Sequence, residues 1–157
     1  MRTFLRKNEA YEKFSEIVDD LNGTLNGFLK TLIRSEYIDR NDLKNINGIY
    51  VFYENDKPVY VGRTNKNRMR KRIQEHSRLS SNKNSASFAF LLYNYNKKNK
   101  QKEVEVYNPD FLKAKERISK MKIKILEIND PIIQTILEPY IAFKLETTSK
   151  HNKFITH

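Results

Sequence analysis

Two tyrosines that lie ten residues apart are the first candidates for chemistry in this chain. Tyr50 closes the tripeptide GIY (48–50), and Tyr60 opens the tripeptide YVG (60–62). A phenol can hydrogen bond to a phosphate and, once ionised, can accept a proton, but its ordinary pKa of about 10 means that it needs help near neutral pH. Because a tyrosine in a strand more often packs than catalyses, these two residues alone leave the function open.

A basic stretch follows directly, and it brings an arginine and a histidine onto one helical face. Arg68, Arg72 and His76 are spaced by four, the spacing that stacks side chains along a helix. Arg72 and His76 would there offer a forked cation and a titratable imidazole to one phosphate. On spacing alone, a solvated basic face that docks against a DNA backbone is the simpler interpretation.

The third candidate is Glu138, which follows the apolar run IIQTIL inside a predicted helix. A carboxylate there would bind Mg²⁺, an ion that takes oxygen ligands and often keeps several waters. The alternative is an ordinary glutamate on a helix surface. Pro139 follows at once and is expected to kink the helix, because proline lacks the amide hydrogen that a regular turn uses.

Other common catalytic arrangements find no support in the sequence. The chain has no cysteine, which excludes disulfides, thiol ligands and a thiol nucleophile. Its three histidines are far apart and form no zinc pattern, its four glycines never cluster into a phosphate-binding loop, and no serine triad can be assembled. The charged N-terminal stretch does not resemble a signal peptide, and no apolar run approaches the roughly 20 residues that span a bilayer. We therefore expect a cytoplasmic protein without a membrane segment.

A β-hairpin is the element that must position the tyrosines. Two runs rich in β-branched and aromatic residues flank the polar turn ENDK and predict a hairpin over residues 48–61. Alternation places Tyr50 and Phe52 on one face of the first strand. Tyr60 lies on the second strand, where it could reach Tyr50 across the pair.

Helices and one further strand surround this hairpin in the prediction. Apolar residues at intervals of three and four predict one or two amphipathic helices over 8–36, with Gly23 and Gly27 as points of interruption. Asn–Pro and Asp–Pro pairs mark two later helix starts. The predicted helices cover 67–79, 86–95, 109–120 and 131–146, and the alternating segment 122–128 predicts a strand. The expected fold is α+β, with a three-stranded antiparallel sheet flanked by helices and preceded by an N-terminal helical extension.

Positive charge is concentrated where the hairpin ends. The formal charge is +11, and the segment RTNKNRMRKRIQEHSR holds seven positive residues and a single acid. A basic chain of this size favours a polyanionic partner, nucleic acid before membrane. The residues that we expect to contact the nucleic-acid backbone are Arg63, Lys66, Arg68, Arg70 and Lys71.

In this order the motifs resemble the GIY-YIG nuclease family, with Val61 as the middle residue of the second tripeptide. The sequence RIQEH supplies an arginine and, four residues on, a histidine, and a glutamate and an asparagine follow at the expected places. The matching positions are Tyr50, Tyr60, Arg72, His76, Glu138 and Asn152. The resemblance covers residues 46–157, which leaves 1–45 as the helical extension. Small standalone bacterial members and the catalytic cores of restriction and homing endonucleases look most similar.

The resemblance implies a metal-dependent endonuclease that hydrolyses phosphodiester bonds of DNA with one Mg²⁺ or Mn²⁺. Glu138 would hold the metal, and Arg72 would stabilise the negative charge of the pentacovalent phosphate. Tyr50 would act as general base, with its pKa lowered by Arg72 and with His76 relaying or holding the proton. Of the remaining matched residues, Tyr60 would position water and phosphate and Asn152 would orient the site.

Two other classes of function stay open beside the nuclease. A binding module of the same fold would hold DNA or RNA without cutting it, and a basic structural protein would match the motifs by chance. The complete set of tyrosines, arginine and glutamate argues against a decayed site. The target sequence, the choice between double-stranded DNA, single-stranded DNA and RNA, the oligomeric state and the role of the long segment 77–120 are not determined by these motifs. We expect that segment to be an elaboration that contacts DNA or a partner.

Overall fold

The computed structural model of the chain describes residues 2–149 and divides it into two units, Met1–Ser35 and Glu36–His157. The first unit consists mainly of helix α1 (Arg2–Arg34). The second holds every strand and the remaining helices among the described residues. The domain boundary that the sequence suggests between residues 45 and 46 stays a prediction.

Helix α1 is one continuous helix, so the expected interruption at Gly23 and Gly27 is wrong. A β-carbon at either glycine would have no atom within 4 Å, so no close contact requires glycine there. Each glycine costs a helix about 1 kcal/mol relative to alanine. Neither glycine is therefore explained by a contact in the structure, and α1 tolerates both at a small cost.

The predicted hairpin is confirmed and is longer than expected. Strand β1 (Gly48–Glu54) pairs antiparallel with β2 (Lys57–Thr64). The two turn residues, Asn55 and Asp56, both have positive φ, at 52° and 59°, as a tight type I′ turn requires. Beyond residue 61, β2 continues because its last residues still pair with the first residues of β1.

Strand β3 (Lys122–Glu127) completes the sheet by pairing antiparallel with β1, which gives the order β2-β1-β3. The predicted α+β class with a three-stranded antiparallel sheet is thereby confirmed. Strand β1 lies in the centre, and β2, which carries Tyr60, lies at an edge. An edge strand leaves one side of its backbone open, so groups from both faces of the sheet can meet there.

Helices cover both faces of the sheet. Tyr50, Phe52 and Ile123 belong to a buried core that also contains residues from α2 (Met69–Ser77), α3 (Ser87–Asn94) and α4 (Pro109–Ser119). On the opposite face, Ile49, Val51 and Val61 are fully buried. Helix α5 (Pro131–Lys144) packs against β2 and β1 and runs on through Pro139.

The predicted helix starts at the two proline pairs are confirmed. The side chain of Asn108 accepts hydrogen bonds from the amides of Asp110 and Phe111 at the start of α4. The side chain of Asp130 accepts from the amides of Ile132 and Ile133 at the start of α5. These caps satisfy amides that have no partner within the helix, and so they fix where each helix begins.

The segment 77–120 contributes buried residues to the core, and its expected contact with DNA or a partner stays a prediction. Phe88 from α3 is fully buried and stacks on Tyr60, with ring centroids 4.3 Å apart and planes inclined by 13°. From α4, Phe111 and Ile118 are also fully buried. The sheet face that carries the tyrosines is therefore closed by this segment.

Candidate active site

Tyr50 lies directly across the hairpin from Gly62, and this pairing explains the glycine of the second tripeptide. A β-carbon added at Gly62 would overlap the Tyr50 ring and its hydroxyl. The phenol therefore lies flat over the backbone of β2, where only glycine leaves room for it. Gly48 has a separate reason: its β-carbon would overlap the carbonyl of Leu126 on the neighbouring strand.

The hydroxyl of Tyr50 is hydrogen bonded to His76. Tyr50 Oη and His76 Nε2 are 2.8 Å apart, and both residues are buried. On the other side of the ring, the backbone N–H of Phe88 donates to His76 Nδ1 over 3.4 Å at the start of α3. Burial, followed by the charges of Arg72 and Arg40, holds the pKa of His76 well below its usual value.

The hydrogen bonds around His76 favour one tautomer of its ring. An imidazole with such a low pKa is neutral at pH 7 and carries one proton. Since Nδ1 accepts from the Phe88 amide, that proton lies on Nε2, which then donates to Tyr50 Oη. His76 is therefore a hydrogen-bond donor to the phenol in this tautomer, and its expected role of relaying or holding the proton stays a prediction.

Burial raises the pKa of Tyr50 well above its usual value. Nearby Tyr60 raises this pKa further, and Glu138 also raises it. Arg72 acts in the expected direction and lowers it, through both its charge and a hydrogen bond, but its effect is smaller than that of burial. The expectation of a net lowered pKa is therefore wrong for the protein without substrate.

Tyr60 occupies the same sheet face as Tyr50 but faces Phe52 directly, so the two tyrosines are diagonal neighbours. Burial raises the pKa of Tyr60, and a hydrogen bond with Ser87 partly opposes that rise. The stack on Phe88 holds the ring in place. Tyr60 is thus anchored by α3 as well as by its own strand.

Arg72 connects this buried cluster to the protein surface. Its Nη1 donates to the carbonyl oxygen of Ser85 over 2.6 Å, and its Nη2 donates to Ser87 Oγ over 2.9 Å. Nη1 also lies 3.3 Å from Glu75 Oε2. The sequence did not point to Ser85 or Ser87, because their contact with Arg72 depends on how α3 folds back onto α2.

Glu138 lies on α5, on the other side of the edge strand. Its Oε2 is 2.9 Å from Arg63 Nε, and its side chain is 20% exposed. Burial raises the pKa of Glu138, and Arg63 partly offsets that effect. Strand alternation places Arg63 on the α5 face of β2, opposite the face of Tyr60. The ion pair therefore crosses from the sheet edge to the helix.

An open cleft of about 420 Å³ joins these parts at the edge of β2. Its lining includes Arg72 from one sheet face and Glu138 from the other, together with two of the predicted DNA-contacting arginines. The full lining is Arg63, Thr64, Asn65, Arg68, Arg72 and Glu138. Tyr50, Tyr60 and His76 do not line this cleft, since they form the buried cluster behind Arg72.

The predicted nucleic-acid-binding residues are spread over more than this cleft. Lys66 is exposed in the turn that follows β2, and Lys71 is exposed on α2. Arg70 lines a different groove of about 410 Å³, together with Arg40 and Arg78. Arg63 and Arg68 line the cleft itself. Asn152 lies outside the described residues, so its expected role stays a prediction.

The residues of the cleft fit a magnesium ion better than a metal held in a cage of protein ligands. In the part of the chain that the structure describes, no three histidine or acidic side chains come together in a metal-binding group. Magnesium is commonly held by one or two carboxylates and several waters, so a single accessible glutamate suits it. Glu138 would be that carboxylate, although Arg63 engages one of its oxygens.

The buried neutral His76 predicts a loss of stability in acid. Its folded pKa lies below the unfolded value of 6.5, so the unfolded chain binds the extra proton and unfolding is favoured as the pH falls below about 6.5. The free energy of unfolding should fall by up to about 1.4 kcal/mol per pH unit from this residue. Urea unfolding at a series of pH values measures it. His76→Gln should flatten the curve, and an identical pH dependence in both proteins would contradict the assignment.

Comparison with known proteins gives one match, and it coincides with the hairpin and the helices behind it. The family model of the GIY-YIG catalytic domain matches residues 46–130, more than half of the chain. No curated protein and no solved structure matches. The matched range includes both tyrosines, Arg72 and His76, and it ends just before α5 and Glu138. Among the described residues, no helix is both long and apolar enough to cross a membrane. With this match over the segment that forms the buried cluster, the chain belongs to the GIY-YIG family of nucleases.

Proposed function

We propose that the protein is an endonuclease that hydrolyses phosphodiester bonds of DNA in the cytoplasm, with the help of a divalent metal bound at Glu138. The observation that carries this proposal is the cleft at the edge of β2, which brings Arg72 and Glu138 together in front of the buried tyrosines. A phosphate needs a cation to stabilise its developing charge and a base to activate water. The cleft offers Arg72 as the cation, and the buried cluster behind it offers Tyr50 as the base.

Arg72 is the proposed contact to the scissile phosphate. Its guanidinium is held by the carbonyl of Ser85 and the hydroxyl of Ser87, and its Nη1 also lies 3.3 Å from Glu75 Oε2, so these contacts fix its position. Such a fixed cation stabilises negative charge that builds on the phosphate and needs little rearrangement during the reaction. Arg63 and Arg68, which line the same cleft, would hold the neighbouring phosphates.

Tyr50 is the proposed general base, with His76 as its hydrogen-bond donor. For this role, water must reach the Tyr50 hydroxyl when a phosphate is bound, since Tyr50 does not line the cleft in the protein without substrate. Donation from His76 Nε2 stabilises the ionised form of the phenol, since a hydrogen bond to the charged form favours that form. The neutral histidine does this without adding a second positive charge to the buried cluster.

Glu138 is the proposed metal ligand, and magnesium or manganese is the proposed ion. When bound there, the ion would draw charge from a nonbridging oxygen and from the leaving 3′ oxygen. Glu138 lies across the cleft from Arg72, so the phosphate would sit between a fixed guanidinium and the carboxylate that holds the ion. Tyr60 keeps its proposed role of positioning water and phosphate.

Incubation with labelled double-stranded DNA, single-stranded DNA and RNA tests the proposal. Cleavage of DNA is expected with Mg²⁺ or Mn²⁺, none with EDTA, and recovery when excess Mg²⁺ is added back. Equal cleavage with and without EDTA would contradict the metal dependence. Binding without cleavage under every metal condition would favour the alternative, a binding module of the same fold.

The salt dependence of the binding affinity should show whether the protein holds nucleic acid through its backbone phosphates. Because the exposed cations of α2 contact backbone phosphates, affinity should fall steeply as salt rises. Replacing Arg68 and Lys71 with alanine should reduce the slope of log affinity against log salt by up to about two, near 0.9 for each phosphate that the variant no longer neutralises. Binding is measured in EDTA by fluorescence anisotropy.

The matched control removes the same charge elsewhere. Lys98 and Lys102 are exposed in the loop between α3 and α4, and their joint replacement by alanine should leave the slope nearly unchanged. If the two double variants have the same slope, the α2 cations are not the contact surface.

A further inference from the structure

Helix α1 carries a seam of apolar residues that the proposed nuclease function does not use. Seven of them follow one another at alternating intervals of three and four, namely Tyr11, Phe14, Val18, Leu21, Leu25, Phe28 and Leu32. An average spacing of 3.5 residues keeps a narrow seam facing one partner helix, and it favours a left-handed supercoil of two helices.

The charges of α1 are arranged as a self-pairing helix requires. The positions that flank the seam are uncharged throughout these three heptads, namely Ser15, Ile17, Asn22, Thr24, Leu29 and Thr31. The acidic residues lie at positions that point away from a partner, namely Glu9, Glu12, Glu16, Asp19 and Asp20. Two identical helices therefore meet along the seam without bringing like charges together at its borders.

The first half of the seam is open to solvent. The exposed fractions of Phe14, Val18 and Leu21 are 64%, 43% and 39%, and Ile17 beside them is 63% exposed. Leu25 and Leu32, in the second half of the same seam, are buried. Four large apolar side chains on consecutive turns of one helix form a patch of the kind that marks an interaction surface.

We propose that the first two-thirds of α1 pairs with the same segment of a second copy of this chain, as a two-stranded coiled coil. A membrane surface fits the patch less well, because helices that lie on membranes carry lysine and arginine on their polar face, whereas residues 9–20, beside the exposed patch, hold five acidic residues and one lysine, Lys13. The same acidity disfavours nucleic acid. A second copy of α1 fits both the 3.5-residue spacing of the seam and the uncharged positions that flank it.

The open part of the seam is short, so the dimer is expected to form and dissociate with concentration. Only about two turns of described side chains, from Phe14 to Leu21, are available to it. A coiled coil of this length gains little beyond the cost of association. Each dimer would carry two nuclease domains, and the pairing itself does not depend on their activity.

Sedimentation velocity of the full chain over a wide concentration series tests the pairing. The wild-type mass is expected to double as concentration rises, and the variant with both Phe14→Asp and Leu21→Asp is expected to stay monomeric. The matched control, Glu12→Lys with Glu16→Lys, changes two charges on the outward face and is expected to dimerise as the wild type does. Circular dichroism of each protein at low concentration verifies folding.

Three results would overturn the proposal. A monomer at every concentration is one, and a double aspartate variant that dimerises as well as the wild type is another. A chain that stays monomeric but floats with anionic phospholipid vesicles would show that the seam binds lipid instead. Sedimentation measures molecular mass and not activity. A failure to dimerise can therefore be told apart from a failure to cleave DNA.

Discussion

Replacing Glu138 with glutamine is expected to slow DNA cleavage by at least about a thousandfold. A metal ion contributes several kcal/mol of transition-state stabilisation, and each 1.4 kcal/mol is about tenfold in rate. Glutamine keeps the shape of the side chain and its place in the cleft but loses the charge that holds the ion. Single-turnover cleavage measures the rate, and titration with Mn²⁺ followed by electron paramagnetic resonance measures binding of the ion directly.

The control for this variant is Glu127→Gln, which removes a carboxylate from the exposed end of β3. It should retain the wild-type rate and affinity for Mn²⁺. The fold of Glu138→Gln should survive, because Glu138 lies in an ion pair that is partly exposed to solvent. Full activity of a well-folded Glu138→Gln protein would remove Glu138 from the metal site.

Replacing Tyr50 with phenylalanine is expected to slow cleavage by roughly 10²–10⁴-fold, the range for loss of a general base. The ring keeps its place over Gly62, so the packing survives, while the hydroxyl and its bond to His76 are lost. Because the pKa of Tyr50 is raised, the wild-type rate should keep rising with pH through the neutral range, provided that chemistry is the limiting step. The rate of Tyr50→Phe should lack that rise.

Two further variants separate the roles of the tyrosines. Tyr60→Phe should cost less than Tyr50→Phe if Tyr60 only positions the substrate, and Tyr107→Phe, which changes an exposed tyrosine, should cost nothing. If Tyr50→Phe cuts normally and Tyr60→Phe does not, the two roles are reversed. If both cut normally, the tyrosines are structural and the mechanism is wrong.

The parts of this molecule that local chemistry determines could be predicted from the sequence. The hairpin follows from two β-rich runs around a turn, and the starts of α4 and α5 follow from Asn108 and Asp130. The order of the motifs was enough to suggest the family. Each of these features depends on neighbours within a few residues, which a sequence displays directly.

The parts that depend on tertiary packing could not be predicted. The balance of effects on the pKa of Tyr50 is decided by how completely α2 and α3 bury it, and no local pattern reports burial. Ser87 reaches Arg72 only because α3 folds back against α2. Gly23 and Gly27 look like helix breakers, yet α1 passes through them, because a cost of about 1 kcal/mol for each glycine does not by itself end a helix.

If Glu138 holds the metal as proposed, its ion pair with Arg63 would make metal loading an exchange of cations. The arginine already compensates the half-buried carboxylate, so an incoming ion must displace its guanidinium from Oε2 before it can use that oxygen. The apparent affinity for the ion would therefore be lower than the intrinsic affinity, because the ion pair must be broken first. The displaced guanidinium stays at the cleft as a cation without its counterion, and a bound phosphate can take that place. On the proposed mechanism, ion and nucleic acid would then strengthen each other's binding, because each would stabilise the arrangement in which Arg63 has left Glu138.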